Sequence, residues 1–189
     1  MLETTEWKPF LLTELFDIEY GNKLDLNKMK QSEKSKISFV SRTAKNNGVS
    51  ASVEELENLS PYPEGLLTVA LGGSIGSTFV QILPFYTGQN VAVLIPKYAM
   101  SDFSKLFIAT LIKLESDTRF IAFGRELNVH IKSDFTINFP ISSSRPYACD
   151  IKTKKELYLP NLEIIEDYVK SLYMNINASI GTMLENLIS

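Results

Sequence analysis

From Leu162 to Leu187 the apolar residues Leu162, Ile165, Val169, Leu172, Ile176, Ile180, Met183 and Leu187 return every three or four positions. Only a helix sets residues at that spacing along one side. The segment 159–189 is therefore predicted to be one long helix, with Pro160 in its first turn, where a missing N–H costs nothing. The stripe is narrow, as in a coiled-coil seam. Two consecutive four-residue steps through Ile176 and Ile180 form a stutter that locally unwinds such a supercoil. Gly181 weakens the helix by about 1 kcal/mol relative to alanine. A helix of this kind packs either on its own domain or on a second helix. Its terminal position, and a length beyond the globular average, favour the second.

The preceding residues 1–158 have a different texture. Thr13-Glu14-Leu15-Phe16 suits a short helix with Thr13 as N-cap. Ile37 to Ser41 alternates apolar and polar, as a half-buried strand does, and Asn46-Asn47-Gly48 marks a turn that needs positive φ. Leu66 to Leu71, Thr78 to Leu83 and Asn90 to Ile95 are strand-like, the last two closed by Pro84 and Pro96. Ser101 is the candidate N-cap of a helix whose stripe is Phe103, Leu106, Phe107, Thr110, Leu111 and Leu114. Leu127 to Ile131 and Phe135 to Phe139 alternate again. Short strands with few helices predict an α+β domain, mainly antiparallel, in 1–158, followed by the helical arm 159–189.

The chain of 189 residues carries 19 basic and 22 acidic side chains. Residues 1–158 are balanced at 18 of each, so the surplus acid lies in the terminal helix. Residues 23–45 hold a local excess of +5 and residues 119–155 one of +4. Two basic tracts on a neutral body suit either phosphate contact or plain solvation. One cysteine, Cys149, excludes an intrachain disulfide and points to a reducing, cytoplasmic setting. The N-terminus has no basic stretch followed by an apolar run, and no apolar run reaches membrane length, so a soluble protein is expected.

Catalytic patterns are few. His130 lies in the alternating run, expected on the solvated face of a strand, with no neighbouring cysteine or histidine at metal-ligand spacing. Cys149 has no nearby base and reads as a buried or inert thiol. Leu71-Gly72-Gly73-Ser74-Ile75-Gly76-Ser77-Thr78 lacks the lysine of a phosphate loop and the glycine spacing of a dinucleotide site. It reads instead as a loop whose backbone can approach a phosphate or base edge closely. Neither a nuclease carboxylate cluster nor a methyltransferase motif is present. No catalytic residue, metal or cofactor is expected.

The landmarks, in order, resemble the specificity subunits of type I restriction-modification systems. Trp7-Lys8-Pro9-Phe10, Leu15-Phe16-Asp17-Ile18 and Gly21-Asn22-Lys23-Leu24 are similar to that family's domain start. Phe39-Val40-Ser41-Arg42, Asn46-Asn47-Gly48-Val49, Thr68 to Ser74, Phe79-Val80-Gln81 and Phe85 to Val91 are similar to its central strands. Phe107 to Ile112, Gly124-Arg125 with Leu127, Ile137-Asn138-Phe139-Pro140 and Pro160-Asn161-Leu162-Glu163 complete the run. Family members usually carry two recognition domains and two spacer helices; this chain has room for one of each.

The resemblance implies a non-catalytic target recognition domain on double-stranded DNA. The helix would then be a spacer and dimerisation arm. It would pair with a second copy or second half subunit and dock methyltransferase subunits and, through them, restriction subunits. Two identical copies would read inverted half-sites of a bipartite target. Base readout needs paired donors and acceptors on loops, which selects Arg42, Asn46, Asn47, Gln89, Asn90 and Arg125. Lys45, Ser74, Ser77, Tyr86 and Lys132 are candidate phosphate contacts. Each also admits a turn or fold role. Rival readings are a protein-interaction or DNA-mimic inhibitor module and the recognition subunit of a type II restriction enzyme.

Overall fold

The computed structural model of the chain describes residues 7–120, 124, 126–150 and 155–188, and side chains as far as residue 180. The α+β expectation holds. Eleven strands and four α-helices are seen among those residues. In order they are β1 (Trp7–Leu11), α1 (Leu12–Leu15), β2 (Phe16–Glu19), β3 (Ser38–Val40), β4 (Val49–Ser52), β5 (Leu67–Ala70), β6 (Thr78–Val80), β7 (Phe85–Thr87) and β8 (Val91–Pro96). Then come α2 (Asp102–Arg119), α3 (Leu127–Ser133), β9 (Thr136–Pro140), β10 (Ala148–Cys149), β11 (Glu156–Leu157) and α4 (Leu162–Ile188).

The chain forms two compact units, Phe10–Ile137 and Met1–Pro9 with Asn138–Ser189. The larger holds an antiparallel four-stranded sheet in the order β2-β8-β5-β6 and a three-stranded sheet in the order β4-β3-β7. Strand β3 runs antiparallel to β4 and parallel to β7. Val40 packs with Phe85, Val91 and Val93, whereas Phe39 packs with Val53 and Tyr86. In the smaller unit β10 pairs with β11, and α4 is its long element. Strands β1 and β9 pair with each other.

Several sequence expectations need correction. Strand β3 is buried along its whole length rather than on one face, because it is the middle strand and has core on both sides. The first helix begins at Leu12, with Leu11 rather than Thr13 at the N-cap; the Glu14 carboxylate reaches back to accept the Leu11 N–H at 2.7 Å. Strand β6 stops at Val80, and Ile82 is 79% exposed. Pro160 precedes α4 rather than entering it; the Asn161 side chain accepts the Ile164 N–H at 3.1 Å and so caps the helix.

The packed face of α2 is also different. Ser101 does cap it, accepting the Ser104 N–H at 3.3 Å. The buried residues, however, are Ser104, Ile108, Ala109, Ile112 and Ser116, while Leu106 and Leu114 are 51% and 58% exposed. Close approach selects this face. A Cβ on Gly76 would lie 2.2 Å from the Ser116 Cβ, so only small residues at that helix position let the two backbones meet.

The run Leu127 to Ile131 is helical, not extended. Leu127 and Ile131 are both buried, and a four-residue separation puts them on one helical face as well as one strand face. Val129, which a strand would have buried beside them, is 72% exposed. His130 accordingly sits on α3, its Nδ1 2.8 Å from Asp134 Oδ1. Cys149 is exposed on β10, so of the two alternatives, buried or inert, burial does not hold. No helix among the described residues is long and apolar enough to cross a membrane.

Candidate nucleic-acid interface

Strand register decides which loops meet. Glu19 at the end of β2 lies opposite Val93 near the start of β8, and Ala70 at the end of β5 lies opposite Val91. In the other sheet Val40 at the end of β3 lies beside Thr87 at the end of β7. Only residues 88–90 separate β7 from β8. Four segments therefore converge at one end of the larger unit: residues 20–24, 41–45, 71–74 and 88–90.

Specific hydrogen bonds lock the convergence. The Asn22 N–H donates to Thr87 Oγ1 at 2.7 Å, and the Thr87 N–H donates to Asn22 Oδ1 at 3.1 Å. The Leu24 N–H reaches the Thr87 carbonyl at 3.0 Å and the Gly88 N–H the Val40 carbonyl at 2.8 Å. The Leu71 N–H donates to the Asn90 carbonyl at 2.8 Å, and the Ser74 N–H to the Arg42 carbonyl at 3.4 Å. Gly21 is required here, at φ +49°, because a Cβ would fall 2.2 Å from Thr87 Oγ1.

Gly72 brings two readout candidates together. A Cβ on Gly72 would lie 3.5 Å from Asn90 Nδ2 and 3.8 Å from Arg42 Nη1. Arg42 and Gln89 are exposed, and Ser74 and Asn90 are half-buried. Among the described residues, four non-glycine residues have positive φ: Lys23, Asn46, Asn47 and Asn90, at 59°, 49°, 55° and 57°. All four lie in the loops that follow β2, β3 and β7. Backbone held in sparsely populated conformations concentrates where a loop geometry is functional.

Lys132, on α3, joins this end through an aromatic bridge. Its Nζ sits 4.4 Å from the centroid of the Tyr20 ring, and Lys23 Nζ sits 5.7 Å from the same ring. The Tyr20 hydroxyl donates to the Asn128 carbonyl at 2.9 Å. A cleft of about 440 Å³ opens beside it.

The remaining candidates divide. Lys45 and Asn46 are exposed on the turn between β3 and β4, where Asn46 Nδ2 donates to the Val49 carbonyl at 3.0 Å. Asn47 serves the fold: its Nδ2 donates to the Val80 carbonyl at 2.9 Å, and its own carbonyl accepts from Gln81 Nε2 at 3.1 Å. Ser77 is only 5% exposed, too enclosed for a phosphate. Tyr86 is fully buried, its hydroxyl donating to the Leu59 carbonyl and accepting the Leu56 N–H. Both are withdrawn as contacts; Tyr86 lies in a strand whose residues all face core. Arg125 lies outside the described residues. Tyr20 and Asn128 were not singled out, and no spacing in the sequence links residues more than a hundred positions apart.

On α4, Ile165 is buried and Leu162 and Val169 are half-buried. Leu172, Ile176 and Ile180 are 42%, 58% and 49% exposed. Met183 and Leu187 fall on the helix, but their side chains lie outside those described.

The family described as type I restriction modification DNA specificity domain matches residues 4–144. The specificity subunit of the type II restriction enzyme BgcI from Heyndrickxia coagulans is 28% identical over 159 residues, covering 84% of this chain and 45% of that protein. Among solved structures, the type I restriction-modification S subunit from M. genitalium matches with a TM-score of 0.54 at 11% identity, over 97% of this chain and 42% of that one. A protein from work on complex assembly and conformational transition of the type I R-M system matches with a TM-score of 0.58 at 16% identity, over 98% and 43%. The HsdS subunit from Thermoanaerobacter tengcongensis matches with a TM-score of 0.51 at 17% identity, over 94% and 40%. The chain thus spans less than half the length of each of these proteins.

Proposed function

From the premise that this chain belongs to the type I restriction modification DNA specificity domain family, we propose that it is the sequence-reading part of a specificity subunit and carries no catalytic step of its own. The observation that carries the reading is the convergence of Arg42, Ser74, Gln89 and Asn90 at one end of the larger unit, fixed by strand register. Arginine forks onto guanine and side-chain amides onto adenine or phosphate. Their loops are braced by backbone hydrogen bonds, so little order has to be gained on binding.

The finer assignments follow from the same premise. Residues 1–158 act as the recognition domain and 159–189 as the spacer arm. The exposed Leu172, Ile176 and Ile180 supply an apolar stripe for a second such helix. Two recognition domains on paired arms would read a split site, with inverted halves if the copies are identical. Methyltransferase subunits, and restriction subunits through them, are the partners this arrangement directs to DNA. The matched relative is a type II specificity subunit while the family carries a type I description. The proposal is therefore made for the role both share.

The test is co-expression with a modification methyltransferase subunit, followed by mapping of methylated adenines. A single split motif supports the reading. Capture of the methyltransferase with methylation unchanged by the chain's presence rejects it and favours an inhibitor module.

A further inference from the structure

The cleft beside Tyr20 carries more than the readout role requires. Tyr20, Lys23, Gln89, Asn90, Asn128 and Val129 line its about 440 Å³. Two ammonium groups stand against the Tyr20 ring of this lining: Lys23 Nζ, itself in the lining, at 5.7 Å from the centroid, and Lys132 Nζ, just outside the lining, at 4.4 Å. The ring is itself fixed by the hydroxyl bond to the Asn128 carbonyl. Among the described residues neither ammonium has a carboxylate partner, whereas Lys30, Lys97, Lys105 and Lys113 pair with Glu54, Asp17, Asp102 and Asp117. Lys23 and Asn90 both hold positive φ at the walls. Two cations set against an aromatic face and left uncompensated make a site for an anion.

We propose that this cleft seats one phosphodiester of the DNA backbone, with Lys23 and Lys132 as its cationic contacts and Tyr20 as the positioning residue. The inference rests on the DNA-reading proposal and adds to it. The cleft shares Gln89 and Asn90 with the readout surface, and Asn90 faces Arg42 across Gly72. A phosphate held here fixes the register at which Arg42 meets a base edge. Phosphate contacts position and base contacts specify.

The experiment compares the whole chain with the double variant Lys23→Gln, Lys132→Gln, which keeps both side-chain stems. Duplex binding is measured by anisotropy across a salt series, with circular dichroism as the check on folding. Each phosphate contact contributes about 0.9 to the slope of log K against log salt. The slope should fall in magnitude by about 0.9, affinity should drop about 10-fold near 0.1 M salt, and sequence preference should stay the same. An unchanged slope overturns the inference. If Arg42→Ala still relaxes sequence preference in that case, the readout proposal survives alone. If the unaltered chain shows no salt-dependent duplex binding, both fall. A free mononucleotide that saturates the unaltered chain but not the double variant, with duplex binding equal in the two, overturns the backbone assignment in favour of a small phosphate ligand.

Discussion

Replacing Gly21 by alanine probes the joint that builds the interface. Two costs act. The backbone at Gly21 has φ +49°, where a side chain costs roughly 1 kcal/mol. The new Cβ would also fall 2.2 Å from Thr87 Oγ1, 2.9 Å from the Val91 carbonyl oxygen and 3.1 Å from Thr87 Cβ. One of these neighbours is backbone of a central strand and cannot swing aside. Overpacking of that kind costs roughly 1–3 kcal/mol, giving about 2–4 kcal/mol in all. Gly65→Ala is the control: its φ is +83°, but a Cβ there meets only the tip of Lys105 at 3.6 Å. It should cost roughly 1 kcal/mol, the backbone share alone. Urea denaturation of both variants reads the difference, expected at about 1–3 kcal/mol. Equal destabilisation would refute the claim that the 20–24 loop is seated against Thr87.

Three further outcomes are expected. Ser116 Oγ is buried with no hydrogen-bond partner among the described residues. Ser116→Ala should therefore be neutral or stabilising by up to about 1 kcal/mol, and a loss beyond that in thermal unfolding would contradict the packing described for α2. The Tyr62 hydroxyl donates to Glu19 Oε2 at 2.6 Å; burial first, and then that bond, push its pKa well above the ordinary tyrosine range. The fold thus favours the neutral phenol, so this stabilisation is full below the ordinary tyrosine pKa of about 10 and is lost as pH rises above it. Tyr62→Phe should cost about 0.5–1 kcal/mol at neutral pH, where partial exposure screens the bond, and should flatten the alkaline limb of stability against pH. An alkaline limb as steep as that of the unaltered chain would count against it. Ile176→Asp with Ile180→Asp should convert a dimer to a monomer in sedimentation velocity while leaving the unfolding of the Phe10–Ile137 unit unchanged. A monomeric unaltered chain would reject self-pairing through α4.

Some of this was legible from residues alone because the signals are local. Asn46-Asn47-Gly48 tolerates positive φ as few tripeptides do, and the turn is there. Ser101 caps α2 for reasons contained in four residues. The α4 stripe runs long enough for its period to be unambiguous. Short runs failed for the same physical reason in reverse: five residues from Leu127 to Ile131 satisfy helix and strand alike. The face of α2 was misread because hydrophobicity marked Leu106 and Leu114, while the turn between β5 and β6 needed small Ser116 opposite Gly76. At the interface, Arg42, Gln89 and Asn90 were recognisable by donor chemistry. Tyr86 looked equally suitable, since nothing in its neighbours reveals that β7 is buried on both sides. The Tyr20–Lys132 contact joins segments far apart in sequence and exists only once β2, β8 and α3 are assembled.

The most direct test is selection of the chain on a randomised duplex pool, run in parallel with Arg42→Ala. The unaltered chain is expected to enrich one short motif. The variant should lose discrimination at one or two adjacent positions, with binding to the best site weakened by ~1–3 kcal/mol. An identical motif and affinity for both proteins, or no enrichment by the unaltered chain, would contradict the account.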